Sequence, residues 1–287
     1  MLAIIKKELR TYFSTMTGYG FLGFFVLITG YFFVSQNIVA LSANYNEALA
    51  GSMIMFLILV PVITMRLFAE ESRQRTDQLL YSSPITVNNV VFGKFIAAGF
   101  LYLLGVLITL AFPFLLSKSG QLDWGLTFVG ILGYFMMGLC LISIGIFISV
   151  LTDNQIIAAV ATFVAIFLLL MMDNITQALP ISVSSSLIFV SIAIILIVIV
   201  VYSSTKNVSI SAIFGLIGFV IEGMVYLIKP NAYDALIVKV LSWFSVLSRF
   251  ENFYMGVLSI SDVVYYITFA FVFLYFTAGV IEKRRWS

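Results

Sequence analysis

The chain has 287 residues, of which 62% are hydrophobic and only 10% are charged, and its mean hydropathy is +1.13. A soluble domain needs more polar residues than this to cover its surface, so the composition indicates an integral membrane protein. The net charge of +2 says little about partners. The absence of histidine excludes a histidine-based metal or catalytic site, and the single cysteine, Cys140, excludes an internal disulfide framework.

Residues 1–16 are predicted to form an amphipathic helix. Its apolar face carries Leu2, Ile5, Leu9, Tyr12, Phe13 and Met16, and its polar face carries Lys6, Lys7, Arg10 and Thr11. A basic face opposite an apolar face favours a helix that lies in the membrane interface, and a simple helical lead-in to the first span fits the same pattern. The segment lacks the cleavage site of a signal peptide, so no detachable leader is expected.

The apolar runs predict about eight transmembrane helices, because a helix needs roughly twenty residues to cross the hydrocarbon core. The predicted spans are 18–38, 49–68, 90–116, 125–151, 155–172, 185–204, 209–228 and 263–281. Glycines recur in 125–151 and in 209–228, where they allow neighbouring helices to approach closely. The predicted fold class is therefore an all-α polytopic membrane protein, with residues 1–287 forming a single transmembrane domain.

The densest run of charge, RLFAEESRQRTDQLLYSSPIT at residues 66–86, lies between two apolar runs. Its charges recur at spacings of three and four residues, which predicts a helix over 66–80 with a pair between Glu71 and Arg75. A plain connection would need only about five residues. The mixed signs are typical of docking onto another protein rather than onto anionic lipid. A solvated helix end is the alternative. We call residues 66–88 the charged segment.

Glu222 is the clearest ionisable residue inside a predicted span. Such a residue indicates a polar contact in a transport pathway or a bond to a neighbouring helix. The alternative is a carboxylate that reaches the outer interface near Lys229. An ion-driven secondary carrier would place several such groups near the midplane, and this sequence does not, which argues against that class.

Residues 229–262 are too apolar for a solvated loop and too interrupted for a span. Aromatic residues recur in this stretch, as they do at the membrane–water interface. They are Trp243, Phe244, Phe250, Phe253 and Tyr254. The segment is therefore predicted to form short re-entrant or interfacial helices on the external side.

The distribution of lysine and arginine predicts the orientation. With eight spans, both termini share one side with Lys6, Lys7, Arg10, Arg66, Arg73, Arg75, Lys94, Lys206, Lys283, Arg284 and Arg285. The other side carries only Lys118, Lys229, Lys239 and Arg249. This bias places both termini and the charged segment in the cytoplasm.

Several functional classes lack their sequence patterns. The chain has no phosphate-binding G-x-x-x-x-G-K-[ST] loop, no ligand spacing for a metal and no basic stripe for nucleic acid. A Ser-His-Asp triad is impossible without histidine. We therefore expect no catalytic residue, bound cofactor, metal or nucleic acid in this chain.

The charged segment resembles the signature cytoplasmic loop of permeases in the type-2 ABC exporter family, especially its gliding-motility and copper-accessory branch. The matching residues are Met65, Arg66, Glu70, Glu71, Thr76, Leu79, Leu80, Pro84 and Ile85. Arg75 stands where the family has glycine, and Asp77 stands where it has glutamate. The stretches IIKKELRTYFSTMTGY, SRFENFYMGVLSISDVVYY and GVIEKRRW are also similar to family segments.

The resemblance implies one transmembrane subunit of an exporter in a bacterial cytoplasmic membrane. Two separate ATPase subunits would bind and hydrolyse ATP with Mg²⁺, and a second permease subunit, identical or different, would complete the pathway. The residues implied at the ATPase interface are Arg66, Glu70, Glu71, Arg73, Arg75, Thr76, Asp77, Leu79 and Leu80. Eight spans would be a six-helix family core plus a pair at 185–228. The alternative is an assembly or signalling subunit with the same frame that regulates or transmits force without transport.

Overall fold

A computed structural model describes residues 1–76, 86–119, 122–180, 182–228 and 233–286. Every regular element in these ranges is helical. The α-helices are Leu2–Ser14, Met16–Phe32, Tyr45–Ser52, Phe56–Thr64, Ala69–Arg73, Val87–Thr109, Ala111–Ser119, Trp124–Leu151, Gln155–Leu170, Met172–Ala178, Val183–Thr205, Val208–Ile228, Leu236–Trp243, Val246–Tyr254 and Ile260–Trp286. A π-helix, Phe33–Val39, and a 3₁₀-helix, Met53–Met55, continue two of them.

Seven helical runs in the described residues are long and apolar enough to cross a membrane. They are Met16–Val39, Tyr45–Arg73, Val87–Lys118, Trp124–Leu151, Val183–Ser203, Val208–Ile228 and Ile260–Arg285. An eighth results if the broken pair Gln155–Leu170 and Met172–Ala178 counts as one span. The prediction of an all-α polytopic membrane protein is therefore confirmed, and the sidedness of the termini stays a prediction.

The chain forms two compact units. The larger comprises Met1–Leu168 with Val246–Ser287, and the smaller comprises Leu169–Ser245. That the whole chain works as one transmembrane domain stays a prediction.

Trp124–Leu151, here the central helix, organises the larger unit. It packs against the last helix, Ile260–Trp286, and against the helices Phe56–Thr64, Val87–Thr109 and Val246–Tyr254. Its glycines let these partners approach closely. A Cβ atom on Gly138 would lie 2.4 Å from the Tyr102 ring. The core of the larger unit therefore depends on small residues along the central helix.

Two buried tyrosines of this core, Tyr102 and Tyr134, have bonded hydroxyl groups, as groups shielded from water usually do. The Tyr102 hydroxyl donates to the carbonyl of Tyr134 at 2.7 Å, and the Tyr134 hydroxyl lies 2.9 Å from that of Ser52. Aromatic rings of Phe25 and Phe56 pack beside both tyrosines. These contacts hold the Tyr102 ring in one position against the central helix.

In the smaller unit, Val183–Thr205 and Val208–Ile228 form an antiparallel pair joined at Lys206, which has φ 49°. Most side chains along the pair are exposed and apolar. This composition suits helices surrounded by lipid. That the pair is an addition to a six-helix family core stays a prediction.

The predicted external segment, 229–262, contains two short helices in its described residues. Leu236–Trp243 belongs to the smaller unit and Val246–Tyr254 to the larger. Within the larger unit, the buried Asp262 carboxylate accepts hydrogen bonds from Arg249 at 3.1 Å and Asn252 at 2.7 Å. These bonds fix Val246–Tyr254 to the start of the last helix, and the depth of both helices in the membrane stays a prediction.

Candidate functional site

The described part of the charged segment is a short helix between two turns. The residues Met65–Phe68 form a turn, the helix runs from Ala69 to Arg73, and a second turn follows. The prediction of one continuous helix over 66–80 is therefore wrong in the described residues. Phe68 has φ −122° and ψ −40°, which interrupts the helix on its N-terminal side. Residues 77–85 lie outside the described residues.

Arg75 ends the short helix. Its φ of +55° is in the left-handed region, where glycine is usual. The Thr76 amide donates to the Glu71 carbonyl at 3.0 Å, and the Arg75 amide donates to the Ser72 carbonyl at 3.1 Å. These two bonds define a Schellman motif with Arg75 at the glycine position. The turn that glycine makes in the family pattern is thus formed here by arginine.

We predict that Arg75→Gly strengthens this helix end, because glycine adopts positive φ without a clash of its Cβ atom. The gain is expected to be roughly 0.5–1 kcal/mol after the entropy that glycine loses on folding. Hydrogen exchange of the Arg75 and Thr76 amides should slow roughly two- to fivefold. Arg75→Ala keeps a Cβ atom and serves as the control. Equal exchange in the glycine and alanine variants would contradict the prediction.

A buried lysine joins the short helix to the N-terminal helix, Leu2–Ser14. The Lys94 side chain is 1% exposed, and its ammonium lies 2.8 Å from the Glu71 carboxylate and 3.2 Å from that of Glu8. Lys94 also donates to the carbonyl of Leu67 and lies over the ring of Phe68. One cation therefore ties together two helices and the turn that precedes the short helix.

Lys7 adds a second, more exposed cation to this cluster. Its ammonium donates to Glu71 at 2.5 Å and lies 3.5 Å from Glu8. Burial acts to lower the pKa of Lys7, but the hydrogen bond and charge of Glu71, with the charge of Glu8, outweigh it and raise the pKa. Lys7 therefore stays charged at neutral pH. We call Lys7, Glu8, Glu71 and Lys94 the ion cluster.

Two further contacts attach the charged segment to the larger unit. The Ser72 hydroxyl donates to the Asp153 carboxylate at 2.6 Å, and the same carboxylate lies 3.5 Å from Arg284 in the last helix. The Ser149 hydroxyl of the central helix accepts from the amides of Phe68 and Ala69, both at 3.2 Å. The charged segment is thus bonded directly to the N-terminal and central helices, and Asp153 connects it to the last helix.

The predicted interface residues fall on two faces. Arg73, Arg75 and Thr76 are exposed, and Arg66 and Glu70 form a partly exposed pair at 3.9 Å. Glu71 points inward to the ion cluster, so the predicted Glu71–Arg75 pair is wrong. Arg75 lies past the helix end, where four-residue spacing no longer brings side chains together. Asp77, Leu79 and Leu80 lie outside the described residues.

Sequence reasoning missed Glu8 and the role of Lys94. On the N-terminal helix the buried residues are Ile4, Glu8 and Tyr12, spaced by four, whereas Leu2 and Met16 of the predicted apolar face are exposed. The Tyr12 hydroxyl donates to the Ile63 carbonyl at 3.0 Å. The four-residue spacing was a usable signal, because it puts a carboxylate between two buried residues.

A cavity of about 300 Å³ lies between the N-terminal helix and the charged segment. Most of the residues that line it have polar or charged side chains, among them Lys7, Thr11, Arg66, Glu70 and Gln74. No group of three acidic, cysteine or histidine residues that could hold a metal occurs in the described ranges. The described residues around this cavity therefore form a charged surface.

Glu222 is in the smaller unit and is buried. Both of its carboxylate oxygens accept from the Ser191 hydroxyl, at 3.0 and 3.2 Å, so Glu222 is bonded to the neighbouring helix. The Tyr233 hydroxyl donates to its backbone carbonyl. Lys229 lies outside the described residues. A role for Glu222 in a transport pathway stays a prediction.

The fold is that of a polytopic membrane protein, and the described part of its charged segment is structured. The profile of the ABC-2 family transporter proteins matches residues 40–221, which is well over half of the chain. The chain therefore belongs to the ABC-2 transporter family, as the sequence predicted. No curated protein and no solved structure matches it.

Membership makes the chain a permease, the membrane subunit of an ABC transporter, and implies association with ABC ATPase subunits. The matched range includes the charged segment and the central helix and leaves out the N-terminal and last helices. The gliding-motility and copper-accessory branch stays a prediction.

Proposed function

We propose that this chain is the transmembrane subunit of an ATP-driven exporter and that the charged segment transmits motion from the ATPase. ATP and Mg²⁺ bind to two separate ATPase subunits, and this chain binds neither. A second permease subunit, identical or different, completes the pathway for an unidentified substrate. The observation that carries the proposal is that the charged segment has two different faces. One face exposes its charges, and on the other Lys94 holds Glu71 inward.

The ion cluster gives this transmission a physical basis. Lys94 is part of the helix Val87–Thr109, which belongs to a membrane span, and it holds Glu71 and Glu8 at once. Separating these charges would leave a buried ion unpaired, which is costly. A displacement of the short helix is therefore expected to move the N-terminal helix and the span together.

We propose the bacterial cytoplasmic membrane as the location, with both termini and the charged segment in the cytoplasm. The excess of lysine and arginine on that side supports this orientation. The N-terminal helix supports it further, because its exposed Lys6 and Arg10 suit an interface with anionic lipid.

Charge reversal on the outward face tests the docking role. We expect Glu70→Lys with Arg73→Glu to insert normally and to reduce co-purified ATPase roughly tenfold or more, because reversed charges meet like charges on the partner. Glu71 is left unchanged, since its reversal would disrupt the ion cluster. Co-purification from membranes, with ATP turnover in liposomes, is the measurement.

The matched control reverses Lys239→Glu and Glu251→Lys, which are exposed and outside the charged segment. This control is expected to retain the ATPase. Wild-type co-purification by the Glu70/Arg73 variant would refute the docking role. An assembled, ATP-hydrolysing complex that moves no substrate would favour the assembly or signalling alternative, and uptake driven by an ion gradient without ATP would favour a secondary carrier.

A further inference from the structure

The first span ends in an unusual helical segment in the larger unit. Phe33–Val39 is a π-helix of seven residues, directly after the α-helix Met16–Phe32. π-Helical segments are rare and occur frequently at functional sites. Leu41 follows with φ 54°, a strained value for a branched side chain. This end of the span therefore departs from regular geometry at two neighbouring places.

Asn37 of the π-helix has an acceptor with no partner. Its side-chain amide donates to the carbonyls of Ser42 and Asn44, both at 2.9 Å, and these two acceptors fix which end is nitrogen. The carbonyl oxygen Oδ1 is buried and has no hydrogen-bond partner among the described residues. Buried polar atoms are nearly always bonded, so this oxygen indicates a donor outside the described residues.

Asn37 lines a cavity of about 330 Å³. Most of the lining is apolar and comes from two helix ends and the loop that follows the first of them, with Phe33, Ile38, Leu41, Leu115 and Leu116 as its large side chains. This volume is at the lower end of the roughly 300–1,000 Å³ that is usual for small-molecule pockets. The cavity suits a small polar group with an adjoining apolar part.

The cavity lies where two candidate spans end, at the last turns of Met16–Val39 and Val87–Lys118. Its rim is apolar and exposed, with Ile38 at 51%, Leu41 at 88% and Leu115 at 55%. Lys118 is exposed and follows Leu115 by three residues, which puts both on one helix face. Lysine at the end of a span reaches the level of lipid phosphates.

We propose that this cavity binds the headgroup of a bilayer phospholipid that carries a hydrogen-bond donor. The headgroup ammonium or hydroxyl donates to Asn37 Oδ1, the phosphate faces Lys118, and the acyl chains lie along the exposed apolar rim. A bilayer lipid fits better than a water-soluble ligand, because the rim is apolar and lies at the end of a span.

Headgroup exchange at constant acyl chains tests the proposal. The full-length permease is placed in nanodiscs of equal parts phosphatidylethanolamine and phosphatidylcholine. The ammonium of the first lipid donates hydrogen bonds, whereas the methylated ammonium of the second cannot. After mild detergent extraction, native mass spectrometry counts the retained lipids. We expect the donor-bearing lipid to be retained in roughly tenfold preference, since a charge-assisted hydrogen bond contributes about 1.5–3 kcal/mol.

Two variants distinguish an effect at the cavity from a general effect on the fold. Ala43→Phe fills the cavity from an exposed lining position without changing Asn37 and should abolish the preference. Leu27→Phe adds bulk to an exposed position elsewhere on the same span and should keep it. Equal retention of both lipids by the wild type, or an unchanged preference in Ala43→Phe, would refute the proposal. A retained molecule from the cell that is not a phospholipid would refute the lipid and indicate a transported compound.

Discussion

Lys94→Met is expected to lower the free energy of unfolding by roughly 3–5 kcal/mol, the usual cost of removing one partner from a buried ion pair. The substitution keeps the length and apolar volume of the side chain but removes the buried one of the two cations that Glu8 and Glu71 share. Lys7 remains beside both carboxylates, but 56% of its side chain is accessible, so it compensates their charge only in part. Chemical denaturation of the permease in detergent micelles measures the difference.

The matched control removes the charges together. Adding Glu8→Gln and Glu71→Gln to Lys94→Met leaves no carboxylate in the ion cluster, so most of the lost stability should return. This triple variant is still expected to bind ATPase weakly, because the link between the short helix and the span is gone. A Lys94→Met protein as stable as the wild type would show that the ion cluster contributes nothing to the fold.

The second large loss of stability is expected when Gly138 is substituted. Gly138→Ala places a methyl group 2.4 Å from the ring of Tyr102, which is fully buried and bonded through its hydroxyl to Tyr134. The ring is packed against Phe25, Phe56 and Phe135, so the variant should lose roughly 1–3 kcal/mol through overpacking. The midpoint of thermal unfolding in detergent should fall accordingly.

Gly23→Ala is the control for Gly138→Ala, because it makes the same chemical change in the exposed middle of a span. A Cβ atom on Gly23 has no heavy atom within 4 Å, so the variant should be neutral or slightly stabilising. Opposite signs for the two variants would establish that Gly138 is required for close packing. An equal loss at both positions would instead point to a general cost of changing glycine in these spans.

The spans could be predicted from the sequence because length and hydropathy nearly determine them. The prediction 18–38 became Met16–Val39, and 125–151 became Trp124–Leu151. The spacing of charges gave a helix at 66–80 where the described helix covers only Ala69–Arg73. Periodicity assumes ideal backbone angles, so it carries no information about the break at Phe68. The family pattern has glycine at the position of Arg75, and glycine there is a signal for the end of a helix.

The ion cluster could not be predicted, because its members are distant in sequence. Lys94 is 86 residues from Glu8 and was counted only as a cytoplasmic charge. Lysine and glutamate are also rarely buried, so composition alone argues against a fully enclosed lysine. The exposed residues Arg73, Arg75 and Thr76 were predictable as a charged surface, whereas Glu71 belongs to a different face that only tertiary packing creates.

The Ser149 hydroxyl bonds the backbone where the helix is interrupted before the charged segment's short helix. In a continuous helix, the backbone groups around the turn Met65–Phe68 would bond to each other. Here the Ser149 hydroxyl of the central helix replaces those bonds: it accepts from the amides of Phe68 and Ala69 and donates to the Met65 carbonyl at 3.3 Å. A tilt of the short helix would therefore stretch a few side-chain bonds and unwind no turn of helix. We therefore expect the turn to be the hinge of the proposed transmission, with its pivot on the helix around which the larger unit is packed.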